Sequence, residues 1–199
     1  GAPEGRYVKV VATQAANLGV AKVVLDAPGV AEGADVLAIA PYLTFNVPLN
    51  PSQWDPGMPV AAEVENWSLD QLFEYLQSKS LPQCHRWMDE QMQLAKEHNL
   101  GLIAYEGGQH LTALGEANRN TKLVDLLNEA NRDPRMGALY TAYLDHWTQI
   151  GGGLFCLFND SGRYTNAGAW GLLERWGQGV DSSPKYAAVL KWAESLPRK

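Results

Sequence analysis

One glutamate follows a short apolar run, at a point where an acidic side chain can do chemistry. Glu106 comes directly after residues 102–105, LIAY, and is followed by Gly107 and Gly108. The two glycines leave the backbone unobstructed, so a ligand can approach closely. A carboxylate placed there can act as a nucleophile or as a general acid or base. An equally good alternative is a glutamate that caps the next helix or pairs with an arginine.

Three more polar residues stand where predicted strands end, and two of them have a structural alternative. Tyr42 follows the apolar run at 36–40, and its hydroxyl can donate a hydrogen bond to a carboxylate from the neighbouring strand. Otherwise Tyr42 is a rim aromatic packed against the next loop. Gln14, after the first predicted strand, can bond a sugar hydroxyl or satisfy loop backbone. Asn159 follows the fourth predicted strand and is a candidate ligand contact.

Two ring-bearing residues complete the set of candidates. His110 lies in the same predicted loop as Glu106, and it either binds substrate or folds that loop. Trp170, in the small-residue segment GAWG at 168–171, is placed to stack on a sugar, although tryptophans more often pack helices. The four histidines show no metal-ligand spacing, and the glycine runs match neither phosphate-binding pattern. We therefore predict no metal and no cofactor.

The composition argues against two classes of partner. The 199 residues carry a formal net charge of -6 without a cluster of Lys and Arg, which argues against nucleic acid. No apolar run approaches the roughly 18 residues that a membrane span needs, which argues against a membrane. Seven Trp and eight Tyr are a generous supply, and although most must pack the core, some can stack on a sugar.

Neither the cysteines nor the first residues identify the cellular compartment, and both are compatible with secretion. Cys84 and Cys156 do not make a disulfide framework, and Cys156 lies in an apolar run where a buried thiol is expected. No signal peptide is visible. The chain begins Gly-Ala-Pro without an initiator Met, which indicates that something was removed or that the chain starts within a longer protein.

Buried strands are predicted to alternate with helices along the whole chain. The strands are expected at 7–12, 36–40, 102–105 and 154–158, and the helices at 15–26, 69–79, 82–98, 122–131, 134–150 and 184–195. Residues 43–67 are rich in Pro and Asn and are expected to form one long loop. This order predicts a parallel sheet within a single α/β domain spanning residues 1–199.

Four strands are too few for a closed barrel. A (β/α)₈ barrel usually needs about 250 residues. A four-stranded half barrel exposes two parallel edges and an apolar concave face, so it needs a partner. The remaining possibility is a flattened, doubly wound sheet.

Five segments resemble the C-terminal half of a (β/α)₈ glycoside hydrolase of the clan that includes cellulases and β-mannanases. The segment IAYEGGQH at 103–110 is the most specific, and it resembles the seventh strand, which in that clan ends in the nucleophilic glutamate. The other four resemble the fifth, sixth and eighth strands and the segment after the eighth. They are YVKVVATQ at 7–14, DVLAIAPY at 35–42, GGLFCLF at 152–158 and GAWGLLE at 168–174.

The resemblance implies a β-linked oligo- or polysaccharide as the substrate. It makes Glu106 the nucleophile and Tyr42 its hydrogen-bonding neighbour, with Gln14 and Trp170 as sugar contacts. The clan's acid/base glutamate ends the fourth strand, and strands one to four have no counterpart here. A retaining mechanism needs two carboxyl groups about 5–5.5 Å apart, so the chain alone is expected to be inactive or nearly so.

Three hypotheses follow from the sequence. The chain is part of a glycosidase whose N-terminal half barrel is missing, or it is a half barrel that forms a homodimer. In the third hypothesis it is a non-catalytic carbohydrate-binding half barrel, since a fold does not fix a function.

Overall fold

The chain forms a mixed α/β structure with parallel strands. The computed structural model describes residue 5, residues 7–53 and residues 55–197. The strands are β1 (Val10–Ala12), β2 (Val36–Ile39), β3 (Leu43–Val47), β4 (Gly101–Ala104) and β5 (Gln109–Ala113). The helices are α1 (Leu18–Leu25), α2 (Ala61–Val64), α3 (Leu69–Tyr75), α4 (Leu81–Glu97), α5 (Thr121–Arg132), α6 (Pro134–Gln149) and α7 (Pro184–Ser195). A π-helical segment, Leu76–Ser80, joins α3 to α4, and 3₁₀ segments Gly115–Arg119 and Val180–Ser182 precede α5 and α7.

The chain divides into two compact units, each built from three segments. The first contains the described residues up to Tyr42, Gln83–Gly107 and His146–Leu157. The second contains Leu43–Pro82, Gly108–Asp145 and the described residues from 158 onward. The single domain over residues 1–199 stays a prediction.

The first unit holds a three-stranded sheet in the order β1-β2-β4. All its pairs are parallel, and Leu37 lies level with Leu102 across the β2-β4 pair. Both of these side chains are buried, as is Ile39. On the same face Phe155, bridged to Ala104, meets the Trp147 ring edge-on at 5.1 Å. This face is therefore covered by helical side chains of the unit.

The opposite face of the first sheet, here called the open face, is apolar and partly uncovered. Val10 lies level with Val36, and the bridge between Ala104 and Phe155 puts Leu154 on the same side as Ile103. Val10 is 49% exposed and Leu154 is 65% exposed. Parallel sheets are normally covered on both faces. Within the described residues the open face lacks such a cover at both margins.

The second unit holds the two-stranded parallel sheet β3-β5. Alternate β3 residues are buried, and among them Phe45 stacks with Trp67 at 5.9 Å and meets Tyr75 at 4.9 Å. The prediction of one long loop at 43–67 is therefore wrong, because this segment contains both β3 and α2. Strand β5 was also not predicted, although it begins directly after Gly108.

The sequence predicts several helix ends correctly. Ser68 caps α3 through a capping box with Gln71, in which each side chain accepts from the other's backbone N–H. The Asp133 side chain accepts from the Arg135 N–H at 2.9 Å as α6 begins. Pro184 occupies the first turn of α7, where its missing N–H costs nothing.

Two other expectations about the end of the chain are wrong. The predicted strand at 154–158 is reduced to one parallel bridge, from Phe155 to Ala104. Cys156 is exposed rather than buried, since it lies beside the partly uncovered Leu154 at the margin of the sheet. Among the described residues there are five strands in two open sheets, and three of them, β1, β2 and β4, correspond to predicted strands.

Candidate functional site

The six predicted site residues divide equally between the two units. Gln14, Tyr42 and Glu106 belong to the first unit. The other three, His110, Asn159 and Trp170, belong to the second unit. Each group is described by itself, and the single site made of all six stays a prediction.

The first group lies at one edge of the first sheet. Gln14, Tyr42 and Glu106 follow the carboxyl ends of β1, β2 and β4. Because these strands are parallel neighbours, their carboxyl ends meet at the same edge, where parallel α/β proteins build their sites. The buried Gln91 amide of α4 supports this edge, since it donates to the backbone oxygens of Gln14 at 3.1 Å and Ala15 at 3.0 Å.

Tyr42 and Glu106 are hydrogen-bonded to one another. Burial raises the pKa of Tyr42, and the negative charge of Glu106 and the hydrogen bond between the two side chains raise it further. The Tyr42 phenol therefore keeps its proton and donates to the carboxylate. Burial and the charge of Glu106 also raise the pKa of Tyr105, which is 44% exposed. The Glu106 side chain is thus half-buried, hydrogen-bonded to Tyr42 and close enough to Tyr105 for its charge to act there.

The Tyr42–Glu106 pair can do nucleophilic chemistry. A hydrogen bond from a fixed phenol orients one carboxylate oxygen, and a half-buried position leaves the group within reach of a small molecule. The Gln14 side chain is exposed, so its role as a sugar contact stays a prediction.

In the second unit, His110 lies on strand β5 rather than in a loop. Its Nδ1 is 2.6 Å from Asn46 Oδ1, which also accepts from the Thr112 hydroxyl at 2.9 Å. The amide oxygen can only accept, so Nδ1 carries the hydrogen in this arrangement. Burial lowers the pKa of His110, which favours the neutral ring at neutral pH. The imidazole is therefore held in a defined tautomer.

Trp170 forms the aromatic part of the second group. Its indole N–H donates to the Ala167 oxygen at 3.0 Å, and its ring meets His110 edge-on at 4.7 Å. The Phe158 ring lies 6.3 Å from the indole and is 41% exposed. Gly168 has a φ of +126°, and a Cβ there would lie 2.5 Å from the indole, so this turn requires glycine.

Asn159 carries a buried polar atom that has no hydrogen-bond partner among the described residues. Its side-chain Oδ1 is buried and unsatisfied, whereas its backbone oxygen accepts from Leu172 at 2.9 Å. An unsatisfied acceptor is costly inside a protein. This atom has almost no exposed surface, so the role of Asn159 as a ligand contact stays a prediction.

Gly108, the second glycine after Glu106, serves the protein's own packing. Gly108 has a φ of +139°, and a Cβ there would lie 3.1 Å from the Tyr140 hydroxyl and 3.3 Å from the Phe158 oxygen. Its N–H donates to the Tyr143 hydroxyl at 3.1 Å. The space expected for a ligand at this glycine is therefore filled by side chains and backbone of the second unit.

Sequence reasoning missed three residues of the second group. Asn46 and Thr112 lie on β3 and β5 and were assigned to loops. The alternation of LTFNV at 43–47 was the signal that could have revealed β3. The buried Lys185 gave no signal, because lysines are mostly exposed and its contacts come from distant parts of the sequence.

The structure and the comparisons give no family for this chain. The described residues include no cluster of three or more His, Cys, Asp or Glu side chains able to hold a metal ion. In the same part of the chain, no helix is both long and apolar enough to cross a membrane. Protein-family models, curated proteins and solved structures were all compared with this chain, and none matches it.

Proposed function

We propose that this chain is the C-terminal half of a (β/α)₈ glycoside hydrolase that acts on β-linked glycans, with Glu106 as its nucleophile. One observation carries the proposal. The Tyr42 hydroxyl donates to the Glu106 carboxylate where the parallel strands β2 and β4 reach their carboxyl ends. A carboxylate oriented at that edge has the placement that a nucleophile needs.

The proposed chemistry follows a retaining hydrolysis. Glu106 attacks the anomeric carbon, the bond from that carbon to the leaving oxygen breaks, and a second carboxyl group gives that oxygen a proton. Water then cleaves the glycosyl ester on Glu106. The second carboxyl group belongs to the N-terminal half barrel in this proposal, so the chain alone binds glycans and hydrolyses ordinary ones very slowly.

Recognition of the sugar falls to the second group of residues. Trp170 offers a ring for the C–H face of a pyranose, and Asn159 is proposed as a polar contact to the sugar. These groups, together with His110, are neutral and polar or aromatic. The same groups would also serve the alternative function, a non-catalytic carbohydrate-binding half barrel that self-associates.

The proposal includes a partner that covers the open face. The exposed Val10 and Leu154 side chains and the uncovered strand edges suit four further strands, from the missing half or from a second copy. A second copy would place its own Glu106 on the opposite side of the barrel. Such a wide spacing suits an inverting mechanism rather than a retaining one.

A mechanism-based label tests Glu106 without the missing acid. The reagents are the 2,4-dinitrophenyl 2-deoxy-2-fluoro-β-glucoside and β-mannoside, whose dinitrophenolate leaves without being protonated. Attack by Glu106 forms a glycosyl ester and releases one dinitrophenolate. Intact mass is expected to rise by one fluoroglycosyl group, and peptide mapping is expected to place it on Glu106.

The control is Glu106→Gln, which keeps the size and the hydrogen-bonding capacity of the side chain. No label is expected on this variant, and its binding to cellohexaose or mannohexaose is expected to persist. Glycan binding by the wild type without any label would favour the non-catalytic alternative. Absence of both binding and label would refute the proposal.

Sedimentation of the chain tests the partner. A concentration-dependent dimer is expected if a second copy covers the open face, and Val10→Glu is expected to abolish it. A monomer at all concentrations would leave the missing half barrel as the proposed partner. Its co-expression is then expected to give a stable complex.

A further inference from the structure

One lysine of the second unit is completely buried. Lys185, in the first turn of α7, has no exposed surface. Burial lowers its pKa well below the ordinary value, while the negative charge of Glu174 acts in the opposite direction. Burying an ammonium group is costly, and replacement by an apolar side chain is often neutral or stabilising. A lysine at this buried position is therefore expected to make contacts that an apolar side chain could not make.

The ammonium group has three partners. It donates to Ala169 O at 2.6 Å and to Asn131 Oδ1 at 2.8 Å, and it lies 4.6 Å from the centre of the Tyr164 ring. The Tyr164 hydroxyl in turn donates to Gly171 O at 3.2 Å. Two of the partners thus belong to the loop that carries Trp170.

The Ala169 carbonyl is held from two sides. Besides the ammonium of Lys185, the side-chain amide of Gln109 on β5 donates to it at 2.8 Å. Gln109 is itself buried and fixed, since its amide oxygen accepts from Leu111 N at 2.9 Å. Ala169 directly precedes Trp170. Gly168, on its other side, lets the turn form but does not restrict it. The two donors supply that restriction.

We propose that Lys185 is a positioning residue that sets the Trp170 indole as a flat binding surface for a sugar ring. Its ammonium fixes the Ala169 carbonyl, and this carbonyl fixes the backbone from which the indole reaches the His110 ring at 4.7 Å. The identification of the ligand as a sugar rests on the proposed function, but the positioning of Trp170 by Lys185 does not.

The positioning is tested by NMR of the indole N–H groups. Trp170→Phe assigns the Trp170 cross-peak in the ¹H–¹⁵N spectrum of the full chain. In Lys185→Met we expect that peak to shift and its indole hydrogen to exchange about tenfold faster, with the other tryptophans unchanged. Lys191→Met, which removes an exposed lysine from the same helix, is expected to change nothing. A folded Lys185→Met protein with an unmoved Trp170 peak would overturn the proposal.

Gln109→Met provides a second variant in case Lys185→Met does not fold. It removes the other donor to the same carbonyl, so a smaller shift of the Trp170 peak is expected. An unmoved peak in this variant would also overturn the proposal.

Titration with cellohexaose and mannohexaose separates this proposal from the proposed function. Lys185→Met is expected to weaken binding by the same factor as Trp170→Ala, roughly tenfold. If the wild type binds neither glycan, the proposed function fails while the NMR result still decides the positioning. If Lys185→Met moves the indole but leaves the affinity intact, the sugar-binding part of the proposal is overturned.

Discussion

The two groups of candidate residues are held in different ways. At the edge of the first sheet, Glu106 is half-buried and its neighbour Tyr105 is 44% exposed. In the second unit, the Ala169 carbonyl that precedes Trp170 accepts hydrogen bonds from two buried polar side chains, those of Gln109 and Lys185. Replacing a half-exposed carboxylate changes the free energy of unfolding little. Removing one member of a buried polar network leaves its partners without hydrogen bonds, which lowers that free energy more. We therefore expect changes in the first group to affect chemistry and changes in the second to affect stability as well.

The largest effect is expected at Gly108, the glycine that begins the second segment of the second unit. Gly108→Ala places a methyl group 3.1 Å from the Tyr140 hydroxyl at a φ of +139°, so we expect a loss of about 2–4 kcal/mol in the free energy of unfolding. Gly177→Ala is the control, because φ is +75° there and the space is open, and about 1 kcal/mol is expected. Urea unfolding followed by circular dichroism measures both. Equal losses would show that the packing around Gly108 is loose.

The second effect separates glycan binding at Trp170 from the reaction of Glu106 with the fluoroglycoside. Trp170→Ala is expected to weaken cellohexaose or mannohexaose binding roughly tenfold, about 1.4 kcal/mol, through loss of the stacking surface. Labelling of Glu106 at a saturating concentration of the fluoroglycoside is expected to continue. Trp176→Ala removes an 87% exposed tryptophan of the same unit and serves as the control. Calorimetric titration gives the affinities, and an equal loss in both variants would remove Trp170 from recognition.

The third effect is a pH dependence of the free energy of unfolding, which we expect to arise from Lys185 in the second unit. The pKa of Lys185 is lowered in the folded chain, so the unfolded chain binds more protons in the range below the ordinary lysine pKa of about 10.4. Stability is therefore expected to rise with pH through that range, because the unfolded chain holds the lysine proton more tightly than the folded chain does. Urea unfolding between pH 7 and 9.5 measures this rise. Lys185→Met is expected to flatten it, and an unchanged slope in that variant would assign the rise to another group.

The smallest effect on stability is expected at the first group. Tyr42→Phe removes one hydrogen bond, so we expect a loss of about 0.5–1.5 kcal/mol. Because burial raises the pKa of Tyr42 and also that of Tyr164, an ultraviolet titration of the wild type is expected to show several phenols that ionise late, and the variant is expected to show one fewer. In Glu106→Gln the Tyr42 phenol is expected to ionise at lower pH, since the negative charge is gone while burial persists. No difference between these titrations would contradict the Tyr42–Glu106 contact.

Two strands that are apolar throughout were predictable and strands of mixed polarity were not, while the equally apolar run at 154–158 forms only one bridge. The runs VLAIA and LIAY gave β2 and β4 because a strand buried inside a sheet has few other compositions. Strand β5 begins with Gln109, a polar residue whose burial depends on the Tyr140 hydroxyl and the Ala169 oxygen. These partners lie far along the chain, so no local pattern reveals the strand.

The residues of the candidate site were predictable only where they follow a strand that the sequence reveals. Glu106 and Tyr42 were proposed because each follows a recognisable strand, and the hydrogen bond between them was anticipated from that placement, while their catalytic roles stay predictions. The contact of His110 with Asn46 required the β3-β5 pairing, which the sequence analysis lacked. Lys185 could not be found at all, since burial of a lysine is decided by tertiary packing alone.

The open face also determines how a partner would respond to temperature. Water around Val10 and Leu154 is displaced when apolar surface is covered, which gives association a negative heat-capacity change. Hydrophobic association of this kind weakens on cooling. A complex formed through this face is therefore expected to dissociate more readily in a cold room than at ambient temperature, and purification temperature becomes a determinant of which species is isolated.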